Sequence, residues 1–121
     1  MAKFLVHITT GPEDPTKAAL GFLVAKTALE EGHKLSMFLA GNAVNLLRNE
    51  TVETLNGLGT GALSAHLAAI RHSAETEVFY SGMSAKARGL TPEVLAIDRA
   101  HPAMPAKLVE LAAEADVVLC Y

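Results

Sequence analysis

The residues able to do chemistry in this chain are few. They are Ser81 and Ser84, His7 and His101, one cysteine (Cys120), and the cations Lys86 and Arg88. A nucleophilic serine needs a base and an oxyanion hole. His7 or His101 would be the base, and the helix start after Ser81 would be the hole. The run Tyr80-Ser81-Gly82-Met83-Ser84 lacks the Gly-x-Ser-x-Gly elbow, and Lys86 is not three residues after either serine. The alternative chemistry is binding. Backbone N–H groups at Ser81, Gly82, Met83 and Ser84 would hold a small polar or anionic ligand, with Arg88 adding charge. Lys86, two residues from Arg88, does not share its helix face. Cys120 lies in the apolar run Val117–Tyr121, so inert burial is expected of it. A reactive thiol there would require exposure and a depressed pKa.

His66 and His72 are six apart, not the three or four that place two ligands on one helix face, so no metal site is expected. Leu55-Asn56-Gly57-Leu58-Gly59-Thr60-Gly61 lacks dinucleotide-fingerprint spacing, and no cofactor is expected.

The elements that must position these residues follow from pattern. Val78, Phe79 and Tyr80 form a strand that stops at Ser81-Gly82 and resumes as a short helix. Ser84, or Ser81 one turn earlier, caps that helix, and Gly89 ends it. Phe4 to Ile8 is a buried strand with His7 near its end. Thr9 to Pro15 is a loop; Asp14 caps the first helix, Pro15 opens it and Gly32 closes it. Lys34 to Ala40 is the second strand, and Gly41-Asn42 turns into a helix over Ala43 to Arg48 that Asn42 could cap. Asn49 to Gly61 is expected as a mobile loop or a flap over the crevice. A helix follows over Ala62 to His72. Thr91-Pro92-Glu93 opens a short helix through Leu95. A short irregular strand is expected near Ile97 to His101. Pro105 opens the last helix, and Val117 to Tyr121 is a final buried strand. This alternation predicts a single domain over 1–121: an α/β three-layer sandwich with a mainly parallel sheet, flavodoxin-like in class. In such a sheet the ends of the first three strands lie on one edge. Thr9, Thr10, Gly11, Gly41 and Asn42 then converge with Ser81-Gly82.

Composition narrows the function classes. Of 121 residues half are hydrophobic, and the net charge is −3 with no basic run, which disfavours nucleic acid. No run approaches a membrane span, and Met1–Ile8 does not read as a signal peptide. A cytoplasmic protein is expected. So small and apolar a domain leaves apolar surface exposed, so self-association is expected through helices around Leu58 to Ile70.

Four stretches carry a resemblance. They are His7-Ile8-Thr9-Thr10-Gly11-Pro12-Glu13-Asp14-Pro15-Thr16-Lys17-Ala18, Gly32-His33-Lys34-Leu35-Ser36-Met37-Phe38-Leu39-Ala40-Gly41, Ser84-Ala85-Lys86-Ala87-Arg88-Gly89-Leu90, and Leu108 to Tyr121. Together they resemble the DsrE/DsrF-like family, small α/β proteins related to sulfur-relay subunits and sometimes labelled predicted peroxiredoxins. The resemblance implies a parallel sheet of five strands, a homotrimer or homohexamer, a possible sulfur-relay partner protein, and a crevice at the strand-three turn. Sulfur-transferring members carry a cysteine at that turn; here the position is Ser81. A hydroxyl neither ionises near neutrality nor forms a reducible S–S bond, so Ser81 cannot carry a persulfide. The expectation is a non-catalytic ligand-binding or structural subunit. An enzyme using Ser81 or Ser84, and sulfur transfer through Cys120, are the alternatives.

Overall fold

The computed structural model describes residues 1–121. In chain order the elements are β1 (Lys3–Ile8), α1 (Pro15–Glu30), β2 (Lys34–Leu39), a 3-10 helix (Gly41–Leu47), α2 (Asn49–Thr54), β3 (Asn56–Gly57) and β4 (Gly61–Ala62). Then come α3 (Leu63–His72), β5 (Glu77–Ser81), α4 (Gly82–Ala87), a 3-10 turn (Pro92–Val94), β6 (Ala100–Ala103), α5 (Pro105–Glu114) and β7 (Val117–Cys120). A five-stranded, all-parallel sheet runs β6-β5-β2-β1-β7, and β3 and β4 form a separate antiparallel hairpin. Helices cover both faces, as the sandwich requires. Flavodoxin's own order, with the first strand between the second and third, is not adopted: β1 lies between β2 and β7.

Local sequence explains the first unit. Asp14 accepts the Lys17 amide at 3.1 Å, Pro15 supplies a helical φ, and Gly32 leaves α1 at φ +85°. Ala18, Ala19, Gly21, Ala25 and Ala28 are the small buried residues of α1. They let the helix lie close on the sheet. A Cβ at Gly21 would sit 2.9 Å from Ile8 Cδ1.

The two sheet faces are covered unequally. The connections β1→β2→β5→β6 all step the same way across the sheet, so right-handed crossovers put α1, α3 and α4 on one face. Only β6→β7 runs back, so α5 alone covers the other. The first face carries a core cluster of 24 buried residues, including Val6, Ile8, Phe22, Met37 and Ile70. The second carries four: Leu5, Phe38, Phe79 and Leu111. One ten-residue helix cannot cover five strands, so part of that face stays open.

Several expectations need correction. β7 is not a buried strand; it is a sheet edge whose residues alternate between half-buried and exposed. Residues 49–61 are not a loose loop: α2 and the hairpin fill most of the stretch. The hairpin is tied to α1, with Leu58 N–H donating to Thr16 Oγ1 at 3.0 Å and Thr60 Oγ1 donating to the Thr16 carbonyl at 2.9 Å. His66 fixes it from α3, its Nε2 lying 2.7 Å from the Thr60 carbonyl. The expected apolar patch around Leu58 to Ile70 is absent, because Leu63, Leu67 and Ile70 belong to the core and only Leu58 projects. Apolar exposure lies instead at Met83, Met104, Val109 and Val118. Gly41–Leu47 is a 3-10 helix, and the irregular strand is the regular edge strand β6, three residues later than its expected start. Residue Ile97 packs into the core rather than starting a strand.

Candidate functional site

The strand-three turn lies where β5 ends. Ser81, not Ser84, is the N-cap of α4: Ser81 Oγ accepts the Ser84 amide at 3.1 Å. Gly89, at φ +66°, closes the helix, with Leu90 N–H returning to the Ala85 carbonyl and Gly89 N–H to that of Lys86. Ser81 is buried. Ser84 has a different task, its Oγ accepting the Gly41 amide at 2.9 Å and stapling the β2 loop to α4. No histidine is hydrogen-bonded to either serine. His7 lies two strands from β5 with Phe38 in between, 6.0 Å from the His7 ring centroid and edge-on to it. His101 tilts against Phe79 at 6.3 Å.

The loops converge as expected, but not around Ser81. Gly11 approaches the Asn42 carbonyl so closely that a side chain there would collide with it. Asn42 does not cap the helix that follows. Its amide donates to Glu13, and its Oδ1 accepts from Asn45 at 2.7 Å and from Arg88 Nε at 3.4 Å. Gly11 N–H donates to the other Glu13 oxygen at 3.0 Å. Arg88 also reaches the Ser84 carbonyl at 3.1 Å, and Arg48 bridges Asn45 Oδ1 and the Arg88 carbonyl, each at 2.8 Å. The Asn42 hydrogen bond holds the Glu13 carboxyl below its usual range, helped by the Gly11 amide and the Arg88 charge. Glu13, Asn45 and Arg48 were absent from the sequence-level candidates. Their only signal was position: each lies within three residues of a strand-end turn or on the helix leaving one. Lys86 and Met83 are solvent-exposed, and Gly82 enters α4 without a positive φ. Thr9 bonds the Tyr121 carbonyl through its amide at 2.8 Å and its hydroxyl at 3.3 Å, joining β1 to β7; Thr10 is half-buried beside it.

Cys120 corrects a second expectation. It is exposed, and β7 is an edge strand of the sheet. It stands opposite His7 in the β1–β7 register. His7 Nε2 is buried without a partner, rather than satisfied by a backbone carbonyl, and burial lowers the ring's pKa. No cluster of three or more potential metal ligands is present. No helix is long and apolar enough to cross a membrane. A cavity of about 410 Å³ opens at the opposite, N-terminal end of the sheet, lined in part by Lys3, Lys34, Glu77 and Leu111, far from these loops.

The model of the DsrE/DsrF-like family matches residues 2–121. This chain belongs to the DsrE/DsrF-like family. The fold agrees. The crystal structure of the ychN protein from E. coli is similar with a TM-score of 0.81 at 20% identity, and the match covers 100% of both chains. A protein of unknown function from Methanobacterium thermoautotrophicum, MTH1491, is similar with a TM-score of 0.70 at 12% identity, again over 100% of both. At such identities these likenesses speak for the fold alone. No curated protein matches the chain. In this DsrE-like chain the strand-three turn carries Ser81, whose hydroxyl caps α4.

Proposed function

We propose that this DsrE-like chain is a non-catalytic, cytoplasmic subunit that assembles as a homotrimer or homohexamer and serves a structural or ligand-binding role beside a sulfur-relay partner. The supporting observation is the state of Ser81. The residue is buried, its oxygen is engaged as the α4 cap, and no histidine is hydrogen-bonded to it. That arrangement supports a turn that keeps its shape without the thiol chemistry. The serine-enzyme reading has no contact in its favour.

The loop network also bears on the ligand. Glu13 already occupies the Gly11 amide and the Asn42 amide. An anion at these groups would have to displace a carboxylate, so a small neutral polar ligand fits the crevice better. Such a ligand would meet Asn42, Arg88 and the Thr9–Gly11 loop.

One observation favours a second reading, sulfur transfer through Cys120. The thiol is exposed at a strand end, with His7 opposite it. An exposed thiol is accessible to a sulfur donor, as such transfer requires.

Native mass spectrometry of protein purified gently from its own host separates the readings. A bare oligomer supports a structural subunit. A discrete non-covalent added mass supports ligand binding. A covalent sulfur adduct would reject the non-catalytic reading and place the chemistry on Cys120, the only thiol.

A further inference from the structure

We propose that β7 is a self-pairing edge: two copies of this chain join β7 to β7, antiparallel, with Leu119 on the two-fold axis, into one continuous sheet. This deepens the subunit reading and rests on it.

The two edges of the sheet are treated differently. β6 carries Pro102 inside the strand, which removes a donor, with Arg99 and Asp98 just before it. Those are the devices by which proteins block unwanted edge pairing. β7 has none. From Val117 to Tyr121 it reads Val-Val-Leu-Cys-Tyr, without charge, proline or glycine. An unprotected apolar edge is tolerated where something covers it.

The hydrogen-bond register shows what fits. Tyr121 N–H donates to the His7 carbonyl at 2.9 Å, and the Tyr121 carbonyl accepts from Thr9 N–H at 2.8 Å. Both main-chain groups of Tyr121 therefore face β1. Successive residues of a strand alternate, so those of Leu119 face β1 too, and those of Val118 and Cys120 face the open edge. With Leu119 on the two-fold, Val118 of each copy pairs with Cys120 of the other. Every outward amide and carbonyl of these two residues then finds a partner. Shifting the centre to Cys120 instead sets each Cys120 against its own counterpart and gives up the Val118–Cys120 pairing. Shifting it to Val118 sets the Asp116 carboxylate side of one copy against Cys120 of the other.

The side chains agree with this register. Val118, 42% exposed, and Cys120 stand opposite Leu5 and His7, on the face that α5 covers only in part, and both are uncharged side chains. A two-fold contact uses the same patch on both copies, which a strand with matched outward groups on either side of Leu119 provides. A hexamer containing two-fold axes accommodates this contact. A cyclic trimer does not.

The test is the mass of the intact protein in solution, measured by sedimentation for wild type and Val118→Lys. It is paired with mild oxidation of Leu119→Cys in a Cys120→Ala background. The lysine restores the missing edge charge at an exposed position. Wild type is expected as an even-numbered oligomer, and Val118→Lys is expected to halve its mass. Leu119→Cys is expected to give a covalent dimer, because residues facing across a non-hydrogen-bonded antiparallel pair lie about 4.5 Å apart at Cα. A monomeric wild type, or a mass that Val118→Lys leaves unchanged, overturns the edge pairing; the second of these leaves the subunit reading standing. Should Val118→Lys misfold, the crosslink decides alone, and its absence in folded Leu119→Cys overturns the proposal. A sulfur adduct on native protein would instead reject the non-catalytic reading, whatever the mass.

Discussion

His7 and Cys120 stand opposite each other in the β1–β7 ladder, on the sheet face that α5 covers only in part. His7 keeps a buried, unpartnered Nε2 there, and burial lowers its pKa. The folded protein thus binds fewer protons at His7 than the unfolded chain does. Its contribution is fully present above the ordinary value of 6.5 and is lost as pH falls below it. The urea midpoint of wild type should therefore drop more between pH 7.5 and pH 5 than that of His7→Leu. Parallel losses in the two proteins would remove His7 as the cause.

Ser81 holds the α4 cap by accepting the Ser84 amide. Ser81→Ala should cost about 1 kcal/mol, whereas Ser81→Gly should cost only a few tenths. Chemical denaturation measures both, and an equal loss in the two variants would argue that packing of the buried side chain dominates instead.

Ser81→Cys, made in a Cys120→Ala background, should place a thiol where the Ser84 amide and the helix start favour the thiolate. Its titration with a thiol reagent should show a pKa below the ordinary value of about 8.5. An ordinary pKa with slow labelling would show that burial at this turn outweighs the helix start.

Glu13 ties the Gly11 loop to Asn42, and these bonds lower its pKa from 4.5. A depressed carboxylate stabilises above the unfolded value, and that stabilisation fades as pH falls through the folded one. Exchange protection of the Gly11 amide should therefore be lost on acidification below about pH 4.5. Glu13→Gln should show weaker protection and little pH dependence over the same range. Protection that stays constant in wild type down to pH 3 would contradict this.

Gly21 brings α1 close to Ile8 of β1 and to Tyr121. Alanine in a helix interior is favoured over glycine by about 1 kcal/mol, but the new methyl would sit 2.9 Å from Ile8 Cδ1 and 3.3 Å from Tyr121 Cβ. Overpacking costs about 1–3 kcal/mol and should win, lowering Tm. In an Ile8→Val background, which lacks that Cδ1 but keeps a γ-carbon near the 3.2 Å contact, Gly21→Ala should cost less than in wild type. An additive double mutant would show that the contact is relieved elsewhere.

Much of the scaffold could be read directly from the chain, since it depends on local rules. Asp14-Pro15 and Gly32 bound α1 by capping and by φ. The runs Phe4–Ile8 and Val78–Tyr80 are strands because branched and aromatic residues follow one another between turn signals. The same locality made Ser81-Gly82 visible as a strand-to-helix turn, and the DsrE-like motifs identified the family. The errors fall where the answer depends on what lies alongside. Gly57, Gly59 and Gly61 looked like a loop, yet their hairpin exists because Thr16 and His66 bind it from other helices. Asn42 looked like a cap, but the helix already begins at Gly41 and the Asn42 Oδ1 accepts from Asn45 and from Arg88, 46 positions later. Val117–Tyr121 has the composition of a central strand. Only the last crossover, running back over the whole sheet, places it at an edge, exposes Cys120 and leaves one helix to cover a five-stranded face. Residue order specifies which segments are strands and helices, because those choices cost or gain free energy within a few residues. Strand order, edge exposure and the partners of a side chain arise from packing between distant segments, and those only the tertiary structure decides.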